Sequence, residues 1–385
     1  MQLKSIKEAK HLLGQRILVR LDFNVPIKND QVLDNFKIHA SLPTIKFLLH
    51  NGARVILVSH LGRPTKKEKK FSLLPVAKEL EKLIGVKVVF SNLENRDEWE
   101  GEKLVLLENI RFYKGEENND IIFAKKLAEV GDIFVLDGFA VAHREAASVS
   151  GVAKYLPSYA GLLLSQEVAG LSKAICHPVR PLTVMLGGIK METKIPVLKN
   201  LLSKANKILV AGGIVNTYLW AKGYEVGGSV IDKNFKKEIL FYLKNKKIIL
   251  PIDLVVGTEN GQHVRVANVD KNLFLNKTES IFDIGPRTVQ LYAGFIRKSK
   301  TLVWNGALGK FEQHPYQHGT YALARLFANR SKGQTYGVCG GGETIEILRK
   351  LHIFDQVDLV STGGGAMLEF LGGKSLPGLK NLLNK

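Results

Sequence analysis

The nine residues Leu18-Val-Arg-Leu-Asp-Phe-Asn-Val-Pro26 decide how the rest of the chain is read. An extended strand repeats every two residues, so Arg20, Asp22 and Asn24 fall on one face while Leu21, Phe23 and Val25 fall on the other. The spacing predicts a strand over residues 17–25 that stops at Pro26, which has no N–H to give to a ladder. Three polar side chains then stand near the carboxyl end of a strand, where open α/β sheets hold their ligands. A half-exposed strand with ordinary polar residues facing water would fit the same run, and it is the other strands that decide between the two.

Short runs of Val, Ile and Leu alternate with helix-length amphipathic segments along the whole chain, the pattern of parallel sheets covered by helices on both faces. In the first half the expected strands are 17–25, 54–59, 86–90, 104–107 and 133–137. Their sequels are Ser59-His-Leu-Gly-Arg-Pro64, Glu108-Asn-Ile-Arg-Phe112 and Asp137-Gly-Phe-Ala-Val-Ala-His-Arg144. Arg20, Arg63, Arg111 and Arg144, with His60 and His143, thus collect at strand ends that converge on one rim of a parallel sheet. Any one guanidinium is more often a surface ion pair than a ligand. Together they describe an anion pocket, since each offers a planar fork of donors to phosphate or carboxylate oxygens.

Residues from about Leu156 to Ile175 read as one apolar-striped helix, taken as a connector. A second set of strands follows at 182–186, 208–211, 248–256, 301–304, 336–338 and 359–361. Here the sequels are glycines: Gly187-Gly188, Gly212-Gly213, Gly306, Gly340-Gly341-Gly342 and Gly363-Gly364-Gly365. Glycine between strand and helix lets backbone N–H groups approach a phosphate, and the helix N-terminus adds partial positive charge. Neither the G-x-G-x-x-G dinucleotide spacing nor the G-x-x-x-x-G-K-[ST] loop occurs. Lys190 and Lys194 follow Gly188, four apart and so on one face of the helix that opens there.

The bulk composition fits this reading. With 385 residues, 45% hydrophobic and 24% charged, the chain suits two soluble domains. No stretch approaches a membrane span and the start lacks a secretory signal, so no membrane partner and a cytoplasmic address are expected. Two cysteines exclude a disulfide framework. The net charge of +19 is uneven: residues 1–176 hold 26 Lys and Arg against 21 Asp and Glu, and residues 177–385 hold 29 against 15. Such a balance favours anionic partners, either polyphosphate metabolites or nucleic acid. No basic run is interleaved with aromatics, so specific nucleic-acid binding is not expected.

An arginine rim on one α/β domain and a glycine-and-lysine rim on another imply two phosphate-bearing substrates. At this point the chain resembles the phosphoglycerate kinase family over essentially its full length. The residues that carry the resemblance are Arg20 to Pro26, Ser59 to Pro64, Leu107 to Phe112, Ala142 to Arg144, Gly187 to Lys190, Trp304 to Gly306, Gly340 to Gly342 and Ser361 to Ala366. It implies two doubly wound, Rossmann-like domains: 1–155 for the glycerate and 177–368 for the nucleotide. A connector helix, 156–176, joins them, and a tail, 369–385, returns to the first domain. It also implies Mg²⁺-dependent transfer between 1,3-bisphosphoglycerate and ADP, giving 3-phosphoglycerate and ATP, in a monomer that closes about a hinge. Arg20, Asp22, Phe23, Asn24, Lys37, His60, Leu61, Gly62, Arg63, Arg111, His143 and Arg144 are the implied glycerate site. Gly188, Lys190, Lys194, Asn305, Glu312, Gly340, Gly341, Gly342, Glu343 and Thr344 are the implied nucleotide site. Lys37, Lys190, Gly341 and Gly364 are the implied catalytic groups, and Glu343 the metal ligand.

Some positions depart from the family pattern. Lys37 stands where the family carries arginine, which keeps the charge and loses the fork. Glu343 stands where the family carries aspartate. Gly138, Ala140 and Val141, and Ala307-Leu308, replace the usual residues and bear on local backbone shape. A working enzyme of reduced rate is the expectation, and a non-catalytic relative that binds nucleotide or phosphate is the alternative.

Overall fold

A computed structural model describes residues 2–384. The chain divides into two compact units, 1–169 with 375–385, and 170–374.

In the first unit the elements run β1 (Arg16–Arg20), the short strands β2 (Ile27–Lys28) and β3 (Gln31–Val32), α1 (Phe36–His50), β4 (Arg54–Val58), α2 (Leu74–Ile84), β5 (Val89–Ser91), β6 (Leu104–Leu107), α3 (Ile121–Ala128), β7 (Ile133–Leu136), β8 (Ser158–Ala160) and the start of α4 (Leu162–Ile175). Six strands form a parallel sheet in the order β5-β6-β4-β1-β7-β8. Central strands are buried on both faces, and so read as continuous apolar runs. Ile17, Val19, Val55, Leu57 and Leu106 meet Ile38, Ile45 and Leu48 of α1 and Val76 and Leu80 of α2 in one core. The tail belongs to this unit: Lys4 N–H donates to the Leu382 carbonyl at 2.7 Å and Gly378 N–H to Ala142 at 2.9 Å.

The second unit holds β9 (Leu182–Leu186), α5 (Met191–Lys204), β10 (Lys207–Val210), α6 (Gly213–Ala221), β11 (Glu225–Val226), α7 (Lys236–Tyr242), β12 (Ile248–Ile249), β13 (Asp253–Gly257), β14 (Arg265–Asn268), β15 (Phe274–Leu275), β16 (Ser280–Ile284), α8 (Pro286–Lys298), β17 (Thr301–Asn305), α9 (His318–Arg330), β18 (Tyr336–Gly340), α10 (Gly342–Lys350), β19 (Leu359–Ser361) and α11 (Gly364–Leu371). Its main sheet runs β12-β10-β9-β17-β18-β19, all parallel. In chain order that is the doubly wound 3-2-1-4-5-6 arrangement, whose switch point lies between β9 and β17. Trp304, Tyr292, Phe311 and Phe327 fill the core on one face. Among the described residues no helix is long and apolar enough to cross a membrane.

Three expectations are corrected. The first strand ends at Arg20 rather than Val25. Beyond Leu21, whose N–H still donates to Val58, side chains take the amides: Ser59 Oγ accepts from Phe23 N–H at 2.7 Å and Asp22 Oδ1 from Asn24 N–H at 3.0 Å. The run 248–256 is two strands, because Pro251 has no N–H and Thr288 Oγ1 takes those of Ile252 and Asp253 at 3.0 Å each. The second of these strands, β13, pairs antiparallel with β14 and β16. The helix expected from Leu156 starts at Leu162, since residues 158–160 form edge strand β8. The units divide within α4, after Ala169, and residues 375–385 belong to the first unit.

Candidate active site

At the first sheet's switch point, β1 and β7 end side by side, and the polar sequels of β1, β4, β6 and β7 lie over their carboxyl ends. Arg20 is buried beneath this rim. Its Nε donates to Ser148 Oγ at 2.7 Å, one Nη to the Leu21 carbonyl, and the other lies 3.3 Å from His60 Nδ1. Ser148 is itself held by Glu116, through its hydroxyl at 2.6 Å and its N–H at 2.9 Å. Burial lowers the Arg20 pKa from its ordinary value, with Glu116 and Asp22 opposing that shift.

Lys37 stands in the first turn of α1 and its ammonium lies 2.6 Å from Asp22 Oδ2. Asn24 Oδ1 accepts from Gly62 N–H at 2.9 Å, and Arg111 reaches the Gly62 carbonyl, with its Nε 3.0 Å from Glu117. These bonds brace the loop of Leu61, Gly62 and Arg63, and Asn109 Nδ2 adds a bond to the Leu61 carbonyl at 2.8 Å. Phe23 and Leu61 turn their side chains into the core, so only their backbone faces the rim. Arg63 is exposed, and His143 and Arg144 are half-buried.

The electrostatics show how closely these groups gather. Arg111 is lowered by burial and then by the charges of Arg144 and Arg63. His60 is held well below its ordinary value by burial, then by Arg20, Arg111, Arg144 and Lys37. The imidazole is therefore neutral near pH 7, and its 4.0 Å contact with Asp22 is no ion pair. Mutual repulsion of this kind is relieved by an anion.

A stability experiment reads the His60 environment. The unfolded imidazole takes up a proton as pH falls below about 6.5, while the folded one does not. His60 therefore favours the fold above that pH and opposes it progressively below. As pH falls below about 6.5 the wild type is expected to lose stability faster than His60→Gln, by up to about 1.4 kcal/mol per pH unit. Parallel urea midpoints for the two proteins across that range would refute it.

In the second unit the rim is backbone. Gly187 ends β9 so close to the next loop that a Cβ would collide with the Ala307 carbonyl oxygen. Gly341 precedes α10 with φ +103°, a conformation that favours glycine, and Gly364 packs against it. The N-termini of α5, α10 and α11 thus open beside the strand ends. Gly342 has open space where a side chain would be, whereas Gly340 is packed against Met367 and Ser361.

Lys190 and Lys194 do not share a role. Lys190 is the exposed N-cap of α5, whereas Lys194 is 5% exposed and donates to Asn305 Oδ1. Burial lowers the Lys194 ammonium to about 8, against the pull of Glu343. Asn305, also buried, donates to the Gly340 carbonyl at 2.8 Å, and Thr344 Oγ1 accepts from Gly306 N–H at 2.9 Å. These two brace the cradle.

Glu343 accepts from Ala307 N–H at 3.0 Å through one carboxylate oxygen. Among the described residues no three His, Cys, Asp or Glu side chains gather as a metal cage. The donor set suits Mg²⁺, which takes one or two carboxylates, phosphate oxygens and waters. Beside the cradle lies a cavity of about 500 Å³, walled by Ile189, Val230, Ile281 and Phe282 and edged by Glu259, Lys310 and Glu312. Of its lining, the sequence marks Gly188, Glu312 and Glu343 for the nucleotide site and Gly212-Gly213 as a strand-end glycine pair. Phe282 and Ile281 carry no local mark, since they sit on an antiparallel strand that the alternation did not reveal. Glu116 and Ser148 were also missed, being distant in sequence from the arginine they hold.

A family model described as phosphoglycerate kinase matches residues 6–374. The phosphoglycerate kinase of Thermosipho africanus is 44% identical over 389 residues, covering 97% of this chain and 96% of that protein. That of Borreliella afzelii is 41% identical over 399 residues, covering 99% and 100%. Among solved structures, the phosphoglycerate kinase of Coxiella burnetii superposes with a TM-score of 0.87 at 40% identity, over 99% of this chain and 98% of that one. The enzyme of Pyrococcus horikoshii gives 0.85 at 28% identity, with the same coverage.

Proposed function

The chain belongs to the phosphoglycerate kinase family, phosphotransferases with a carboxyl group as acceptor, and we propose that its arginine rim holds the glycerate and its glycine cradle holds the nucleotide. The observation that carries the first half is the like-charged cluster around Arg111 and His60, whose repulsion a phosphate and a carboxylate would relieve. In the second half, backbone amides at helix N-termini and the buried Lys194 ammonium suit the phosphates of ADP or ATP. The neighbouring cavity suits the base and ribose.

Transfer from an acyl phosphate to ADP needs alignment, neutralisation of the moving group and exclusion of water, and no covalent enzyme intermediate. Lys37 would neutralise the group from the glycerate side, with Lys190, Lys194 and the amides near Gly341 and Gly364 acting from the nucleotide side. Glu343 would hold Mg²⁺, which when bound neutralises charge on the phosphate oxygens. A hinge-bending monomer in the cytoplasm is the setting this reading proposes. Purified protein given 1,3-bisphosphoglycerate, ADP and Mg²⁺ is expected to form ATP and 3-phosphoglycerate, and to stop when EDTA is added. Folded protein that turns nothing over at high concentration would overturn it.

A further inference from the structure

The loop bearing His143 and Arg144 leaves β7 through Asp137, a carboxyl that the reading above does not use. Asp137 is fully buried, and its N–H donates to the Arg20 carbonyl at 2.8 Å. Its side chain points away from the rim. Oδ1 accepts from Leu164 N–H at 3.2 Å. Thr44 Oγ1 in turn accepts from Leu162 N–H at 2.9 Å.

The first N–H groups of α4 are therefore capped by side chains of β7 and α1, not by a residue just before the helix. Gly161, which does precede it, has no room for a side chain, because a Cβ would collide with the Asp137 carboxyl. A carboxylate at a helix N-terminus is favoured by the helix dipole. Here it stands in full burial with Glu167 nearby, and burial raises Asp137 to about 7. A group held at that cost would be replaced readily by an apolar one if only packing were required.

Three elements that bear on the proposed site meet at this point. Helix α1 carries Lys37 two turns before Thr44, β7 carries the loop to Arg144, and α4 runs from the first unit into the second. We propose that Asp137 and Thr44 are positioning residues. Their side-chain oxygens, each accepting from an N–H at the start of α4, fix α1, and with it Lys37, against the ends of β1 and β7 and the start of α4, so that phosphoryl transfer depends on them more than glycerate binding does. This rests on the reading of Lys37 as the group facing the transferred phosphate.

Thr44→Val keeps the shape and removes the hydroxyl, whereas Thr44→Ser keeps the hydroxyl. The measurement is steady-state kcat and KM for 3-phosphoglycerate, with folding checked by near-ultraviolet circular dichroism and Tm. Thr44→Val is expected to lower kcat per folded molecule about 10-fold with KM within about twofold, the scale that small misplacements of a catalytic group produce. Thr44→Ser should stay within about twofold of wild type, and Asp137→Asn should follow Thr44→Val. A Thr44→Val protein with wild-type kcat, a change confined to KM, or equal losses in Val and Ser would each overturn the proposal. Lys37→Ala in the same assay keeps the two readings apart. If it retains full activity the site reading fails, and if it collapses while Thr44→Val does not, only the positioning role fails.

Discussion

Lys37→Ala is expected to lower kcat about 10³-fold while KM for 3-phosphoglycerate moves only a few-fold, a loss of the size seen when a cation is withdrawn from a transferring phosphoryl group. The reasoning starts from where Lys37 stands. It occupies the first turn of α1, at the rim, with its ammonium 2.6 Å from Asp22 and half-buried. On the proposed assignment Arg63, Arg111 and Arg144 remain to hold the glycerate's own charges, so binding survives. Transfer does not, because the group that gains charge near Lys37 does so only in the transition state. Removing Lys37 also strands the Asp22 carboxylate where phosphate must come. Lys37→Ala with Asp22→Asn is therefore expected to recover part of the loss. Lys37→Arg is expected to raise kcat above wild type, since a planar fork can bond Asp22 and a phosphoryl oxygen together. A Lys37→Ala enzyme that keeps more than about a tenth of kcat would remove Lys37 from the chemistry.

Lys37 also shows how far the sequence could be read. It came into view only through the family resemblance, whereas the two-domain α/β class was visible in the residues themselves, because buried parallel strands separated by amphipathic helices leave a periodic trace. What the trace does not carry is which side a central strand turns to the site. Alternation put Arg20 on an outward face, but β1 is covered on both faces, so Arg20 ends beneath the rim with its donors committed to Ser148 and Leu21. The glycine loops were legible for a physical reason: backbones that nearly touch, as at Gly187 and Ala307, leave no choice of residue. Three-residue β8, strands β14 and β16, and the break that separates β13 from β12 were not. They are too short, or too interrupted by Pro251 and turns, to show a period. Contacts such as Glu116 with Ser148, or Asp137 and Thr44 with the start of α4, join residues that only the fold brings together.

The second large effect belongs to Lys194. Lys194→Met should lower kcat/KM for ADP about 10²-fold, since it removes a desolvated cation from the proposed phosphate site and leaves the Asn305 oxygen it bonds without that donor. The pH dependence makes the assignment specific. Burial brings the free enzyme's Lys194 to about 8, and the ammonium is the form that attracts phosphate. Below that pH the site is charged; above it the charge is lost with each proton released. In the wild type kcat/KM for ADP should therefore fall on the alkaline side, by about 10-fold per pH unit well above the transition. Bound phosphates stabilise the ammonium and push its pKa up again, so kcat at saturating ADP should not show this limb. Lys194→Met has no proton to lose and should be flat where the wild type bends. The same bend in both proteins would mean that another group titrates, and a wild-type profile flat through pH 9 would mean that the nucleotide does not rely on this cation.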